Sequence, residues 1–241
     1  MVMKKILTAG CSFTKDNYQK TWANYLADKI GYSLHNIAAR GAGIDFITNR
    51  ILHECFKEKY DLVMVMLPSV DRMDLYVDTN HPMKQQLLEI SSWQDGRAPD
   101  FVTLDGQLTK NYGYAMSGGE IRGLKKYWFK YYYNETSALL SYWSKIYLLE
   151  NFFKNHQINY KFHMAYDKNS LVEQPTNASG DDQIHDCLWN NMDWENFIFF
   201  QTTKGFLSFC QDRDFEIVKY HPVSLAHESW VNEILLPNLS I

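Results

Sequence analysis

The chain has 241 residues, 46% of them hydrophobic, which is enough for one well-filled domain with a sizeable core. With 24 Lys and Arg against 28 Asp and Glu the net charge is -4, so there is no overall cationic surplus to neutralise phosphates, and nucleic acid is not an expected partner. The four cysteines, Cys11, Cys55, Cys187 and Cys210, are widely spaced and form no CxxC pair, which points away from zinc and from a disulfide framework and fits a reducing compartment.

In chain order, ILTA reads as a first strand. TWANYLADKI follows as a helix with Trp22, Tyr25, Leu26 and Ile30 at helical spacing, and SLHNIA reads as a second strand. IDFITNRILHECFKEKY predicts a helix with Ile44, Ile47, Ile51 and Phe56 on one face, and the continuous apolar run DLVMVML predicts a strand covered on both sides. This alternation implies a parallel sheet with right-handed crossovers. From Asp71 to about Tyr133 the pattern dissolves into polar, glycine-containing sequence, longer than an ordinary connection, and an insertion over residues 72–133 is expected. Periodicity returns in ETSALLSYWSKIYLLENFFKNH as a helix, and INYKFHMAY is a fourth strand. DWENFIFFQTTKGFLSFCQ reads as a further amphipathic helix broken by glycine, and LAHESWVNEILLP as a last helix with Trp230, Ile234 and Leu235 on one side.

Two lysines followed by a very short apolar run do not make a signal peptide, and no stretch approaches the roughly 20 apolar residues of a membrane span, so no membrane contact is expected. Many of the aromatic residues fall in polar surroundings, which points to rings lining a surface or cleft. The run Gly123–Tyr133 mixes basic and aromatic residues and reads as a partly buried part of the insertion rather than a stacking platform. Asp181, Asp182, His185 and Asp186 form an acidic cluster read as solvated, with no metal or cofactor expected.

In a parallel α/β sheet, sites gather outside the carboxyl ends of the strands. Three stretches lie there. In Gly10–Thr14 (GCSFT), Gly10 allows a tight turn and Ser12 presents a hydroxyl beside free backbone N–H groups, although a helix N-cap would use the same residue type. In Asn36–Gly43, Gly41 and Gly43 allow close backbone approach to a ligand or simply make a turn. The third is Met66–Arg72, after the most apolar strand. Near the C-terminus, His221 and His227 flank PVSLA. His221 precedes Pro222, which holds it extended as a candidate base, Ser224 is a candidate N-cap, and His227 reads as a packed or capping residue.

Taken together, GCSFT, NxAxxGxG and the terminal HPxxxxH resemble the SGNH, or GDSL-like, hydrolases, and in particular the divergent SGNH-like proteins of bacteria and phages that carry GCSFT in place of GDS. The resemblance covers the first 75 residues and about the last 40. It implies a three-layer α/β/α sandwich with a mainly parallel, flavodoxin-like sheet. It also implies Ser12 as nucleophile, the N–H groups of Ser12 and Gly41 as oxyanion hole, His221 as base, and a cytoplasmic or virion-associated protein. The family's substrates imply a small-molecule or glycan ester.

The departures are specific. Cys11 replaces the family's aspartate, and Val70 stands where an oxyanion-hole asparagine is expected, leaving Ser69 or Arg72 as substitutes. Val218 occupies the position of the aspartate three residues before His221. Asp214 and Glu216 are nearby acids without the motif spacing, whereas Asp182 and His185 form a D-x-x-H pair that no proline follows. Two readings follow: a serine esterase or deacetylase, and a binding or structural module that has lost efficient catalysis.

Overall fold

A computed structural model of the chain describes residues 3–16, 19–72, 74–78, 101–109, 112–116, 131, 133–167 and 182–239. The first third is β1 (Lys5–Ala9), α1 (Trp22–Ile30), β2 (Ser33–Asn36), α2 (Ile44–Lys57) and β3 (Leu62–Leu67). Four short strands follow: β4 (Asp74–Val77), β5 (Phe101–Val102), β6 (Leu108–Thr109) and β7 (Gly113–Met116). The remainder is α3 (Glu135–Asn155), β8 (Tyr160–Met164), α4 (Asp182–Asn191), β9 (Phe197–Ile198), α5 (Phe206–Asp212), β10 (Ile217–Val218), β11 (His221–Pro222) and α6 (Ser224–Trp230). A π-helical turn at Val231–Leu235 and a 3₁₀ turn at Leu236–Asn238 end the last helix.

The central sheet has the order β2-β1-β3-β8-β9 and every pairing in it is parallel. This is the flavodoxin-like doubly wound order, in which the chain reverses direction across the sheet between β1 and β3 and leaves a crevice at their carboxyl ends. Strand β3 shows why the sheet is a middle layer. All six of its residues are buried; Val63, Val65 and Leu67 pack with Ile44, Ile47 and Ile51 of α2 and Trp143, Ile146 and Leu149 of α3. Its alternate residues, Leu62, Met64 and Met66, pack on the opposite side with Trp22 and Leu26 of α1, Phe206 and Phe209 of α5 and Trp230 of α6. Period-two alternation thus feeds two separate cores, the signature of a three-layer α/β/α sandwich.

The segment predicted as an insertion contains a second, antiparallel sheet of order β4-β7-β5-β6. It docks on α2, where Asn49 donates to the Tyr114 hydroxyl at 2.8 Å and Lys57 meets Asp105 at 3.0 Å.

Two expectations are corrected. The run DWENFIFF does not form an α-helix: after a 3₁₀ turn at Trp194–Asn196, Phe197 and Ile198 supply the fifth parallel strand, buried between the two cores, and the α-helix begins only at Phe206. Gly205 separates them because an added Cβ there would lie 2.3 Å from the Tyr166 carbonyl oxygen. Phe56 leaves the apolar face of α2 and is 72% exposed, its ring 5.3 Å from that of Phe152. Rings do lie on the surface, as expected, with Tyr76, Tyr112, Tyr131 and Tyr220 exposed, while Trp22, Trp143, Trp230 and Tyr142 are fully buried. Most of Gly123–Tyr133, the residue Asp181 and the side chains of Asp182, His185 and Asp186 lie outside the described residues, the last three on the backbone of α4.

Candidate active site

The strand β1 ends at Gly10, where an added Cβ would stand 2.3 Å from Thr14 Oγ1 and 3.1 Å from the Met66 carbonyl oxygen. Only glycine fits. The chain then closes one helical turn, with the Thr14 and Lys15 N–H groups donating to the Cys11 carbonyl at 3.0 and 3.1 Å. Cys11 is fully buried and Phe13 nearly so, while Ser12 between them is partly exposed. Thr14 ties the turn down. Its carbonyl accepts from Thr21 Oγ1 at 2.9 Å and from Asn36 Nδ2 at 2.8 Å, and its hydroxyl accepts from Trp22 Nε1 at 3.2 Å. Ser12 is therefore not a helix cap but the raised residue of a turn whose neighbours are all held.

The loop after β2 carries Gly41, with φ of 70°, in the left-handed region that glycine tolerates. It is held from three sides. The Ala39 N–H donates to the Gly10 carbonyl at 3.2 Å, Arg72 Nη1 donates to the Ala42 carbonyl at 3.0 Å, and Asp74 accepts from the N–H groups of Gly43 and Phe46 at 2.8 Å each. Burial pushes the Asp74 carboxyl up to about 6, against the pull of those two N–H groups. For Arg72, burial acts to lower the guanidinium, but Cys11 and Tyr166 beside it outweigh that and leave it raised. Arg72 thus braces the loop through its carbonyl side.

Among the described residues, neither the Ser12 nor the Gly41 backbone N–H donates to any group. Ser69 is engaged elsewhere, its hydroxyl bonded to Asp71, and Val70 packs against the core on the α2 and α3 side.

His221 stands on a small antiparallel hairpin, β10 paired to β11 with Val218 opposite His221. The two-residue turn is Lys219–Tyr220, with φ of 48° and 68°, both left-handed as a type I′ turn requires. The turn curls the Lys219 carbonyl back to His221 Nδ1, at 2.9 Å. A carbonyl only accepts, so Nδ1 donates, and in the singly protonated tautomer this sets, Nε2 is the acceptor. This backbone oxygen stands where an acid was sought: Asp214 is exposed beyond the end of α5, and no carboxylate bonds to His221 among the described residues. The ring also rests edge-on against Phe13, the residue after Ser12, with centroids 5.7 Å apart.

A cavity of about 740 Å³ opens between these segments, and Ser12, Gly41, His221 and His227 all line it. Ser69, Arg72 and Asp214 do not, and no Phe, Tyr or Trp does among the described residues. His227 is 1% exposed, its ring 4.7 Å from that of Phe206 and its Nδ1 buried without a partner. Burial, with His221 nearby as a second cause, pulls it down to about 3. Behind it His163 on β8 is also drawn down to about 3 by burial and by His227, and accepts from Trp230 Nε1 at 3.2 Å. Ser224 is not a cap: its hydroxyl donates to the Lys20 carbonyl at 2.9 Å and meets the Tyr25 hydroxyl at 3.0 Å, tying α6 to α1. Among the described residues no three His, Cys, Asp or Glu side chains converge as metal ligands would.

No protein-family model matches the chain, and no curated protein does. Solved structures do. The chain is similar to a catalytic mutant of Axe2, an acetylxylan esterase from Geobacillus stearothermophilus, with a TM-score of 0.51 over 99% of this chain and 94% of that one at 12% identity. It is also similar to a protein described as a GDSL-like lipase from Parabacteroides merdae, with a TM-score of 0.46 over 96% and 94% of the two chains, again at 12% identity. The fold is that of an SGNH, GDSL-like hydrolase. In that frame the GCSFT turn, the Gly41 loop and the His221 hairpin occupy the carboxyl-end crevice of the parallel sheet. No helix among the described residues is long and apolar enough to cross a membrane.

Proposed function

We propose that this protein is a serine ester hydrolase of SGNH type, acting on an ester of a small molecule or glycan. The observation that carries this reading is the convergence of Ser12, Gly41 and His221 on one cavity, with two N–H groups and an Nε2 that bond to nothing among the described residues. Ser12 Oγ attacks the ester carbonyl as its proton passes to His221 Nε2. The carbonyl electrons move to oxygen, and the Ser12 and Gly41 N–H groups hold the oxyanion. Collapse breaks the bond to the alcohol, which leaves with the proton from His221. Water then attacks the acyl-serine with His221 as base, releasing the acid and restoring Ser12.

Two departures bear on rate. The Lys219 carbonyl fixes the tautomer as a carboxylate would but brings no full charge to stabilise the imidazolium. Val70 offers no third oxyanion donor, a loss of roughly 10²- to 10³-fold where it has been removed elsewhere. These same two features favour the second reading, a scaffold that binds its ligand without efficient turnover. Esterase names among the structural neighbours add the ester class, and acetyl esters are the first to test.

Fluorophosphonate labelling with peptide mass spectrometry distinguishes the two. The expected adduct is on Ser12, absent in Ser12→Ala, retained in Cys11→Ala and lost with His221→Ala. Ester turnover should fall roughly 10³-fold or more in Ser12→Ala. An unlabelled, folded wild type would move the assignment to the binding module.

A further inference from the structure

Among the described residues the charged side chains that line the cavity are of one sign. Its described lining contains Lys15, Arg40 and Lys219 and no Asp or Glu, in a chain where acids outnumber bases by 28 to 24. The three cations are not scattered. Each sits beside one working part of the site: Lys15 is three residues after Ser12, on the turn closed by the Cys11 carbonyl; Arg40 immediately precedes Gly41; Lys219 supplies the carbonyl that orients His221. Neither Lys15 nor Lys219 forms an ion pair among the described residues, so the charge of these two lysines is not cancelled there by a described carboxylate. A concave, low-dielectric wall of one sign focuses potential on its interior and draws in the opposite charge.

We infer that the substrate of this site is an anionic ester, one bearing a carboxylate or similar anion that the Lys15 and Lys219 side chains attract. The inference rests on the ester-hydrolase reading and narrows it. The two lysines lie on different segments of the site, the Ser12 turn and the His221 hairpin, so the anion can belong either to the acid part or to the alcohol part of the ester. The shared chemistry is a negative charge a few bonds from the scissile carbonyl. During reaction this charge is a binding handle, and the oxyanion that develops at the Ser12 and Gly41 N–H groups gains from the same field.

The test uses two matched pairs. Mono-4-nitrophenyl glutarate against 4-nitrophenyl butyrate places the charge on the acid side; 4-acetoxybenzoate against methyl 4-acetoxybenzoate places it on the alcohol side. The expected result is a preference of about tenfold or more in kcat/KM for the anionic member of at least one pair. That ratio should shrink toward unity in the Lys15→Gln, Lys219→Gln double variant and on raising ionic strength from about 0.02 to about 0.5 M. The ratio is read rather than the absolute rate, so a general loss of activity does not mimic it. Equal kcat/KM within both pairs, with turnover that still needs Ser12, overturns the anionic substrate and leaves the hydrolase. If no ester is turned over, the hydrolase reading fails, and the charge preference is read from calorimetric binding of 4-acetoxybenzoate and its methyl ester to Ser12→Ala. Tighter binding of the anion that weakens with salt sustains the preference, and equal binding overturns it.

Discussion

The turn that carries Ser12 and the hairpin that carries His221 meet at one cavity but are held there by opposite means. The turn is continuous with the central strand β1. Cys11 and Thr14 are fully buried, Thr14 alone takes part in three hydrogen bonds to α1 and the β2 end, and Gly10 occupies a space that excludes any side chain. On the hairpin, by contrast, only Pro222 of its six residues is buried, and it is anchored at its base by the Gln19 side chain on the Pro222 carbonyl at 2.7 Å. Its geometry comes from two left-handed residues, the short β10–β11 pairing closed by the Val223 N–H on the Glu216 carbonyl at 3.2 Å, and the His221 Nδ1–Lys219 carbonyl hydrogen bond. The position of the serine is thus tied to the stability of the whole fold, whereas the position of the histidine is set locally. Perturbing the first should be read in unfolding, and perturbing the second in small, local changes.

The largest effect is expected at Gly10. In Gly10→Ala the methyl group meets Thr14 Oγ1 at 2.3 Å, and the hydroxyl cannot move without leaving Trp22 Nε1. Overpacking of this kind costs roughly 3 kcal/mol, and a urea titration should show the midpoint drop with an unchanged slope. A wild-type midpoint would mean that the turn yields easily, and the contrast between the two supports would collapse.

A second effect separates the floor of the cavity from its rim. His227 and His163 are buried and held neutral, well below the ordinary histidine value of 6.5. The sign follows from the depression: the unfolded chain binds a proton below pH 6.5 that the folded chain refuses, so this stability is present above 6.5 and is lost as pH falls toward 3. Asp74, pushed up to about 6, works the other way: its folded form takes up the proton first, and its contribution grows as pH falls through 6. A single pH curve therefore mixes opposing slopes. The difference between His227→Gln and wild type isolates one histidine, and the variant should gain about 2 kcal/mol on wild type between pH 7 and pH 5. A pH-independent difference would mean that His227 takes up its proton within the fold.

The same contrast explains what could be read in the chain. Strands β1 and β3 are apolar and buried, helix α3 is long and periodic, and GCSFT, weak alone, gains meaning beside the Asn36–Gly43 and His221 stretches. The carboxyl-end rule then locates Ser12 and Gly41 at one crevice. Elements made of two residues carry no period, so β9 was hidden in the aromatic run DWENFIFF and β10–β11 in an exposed stretch. The orienting partner of His221 was invisible for a different reason: a search for an acid scans side chains, and the group found is a backbone carbonyl, which every residue possesses. Phe13, Thr14 and Asn36 had a weak signal. Thr14 and Asn36 are polar residues at strand ends, the place where side chains knit loops together, and Phe13 is an aromatic neighbour of the candidate nucleophile.

The smallest effect tests the hairpin itself. Lys219 and Tyr220 are not glycine, asparagine or aspartate, yet both adopt positive φ, and Tyr220 is 90% exposed, so packing does not compensate it. Non-glycine residues held there cost of order 1 kcal/mol or more each. Asn-Gly is the pair a type I′ turn prefers. Lys219→Asn combined with Tyr220→Gly keeps both backbone carbonyls and relieves the strain, so it should raise stability by about 1 kcal/mol. The His221 ring should retain its Nδ1–H tautomer, read from its ¹⁵N chemical shifts, because the acceptor is backbone and survives the change of side chain. A loss of stability, or a switch of the proton to Nε2, would mean that the Lys219 and Tyr220 side chains rather than the turn geometry hold the histidine. The two supports of the site would then be more alike than their burial suggests.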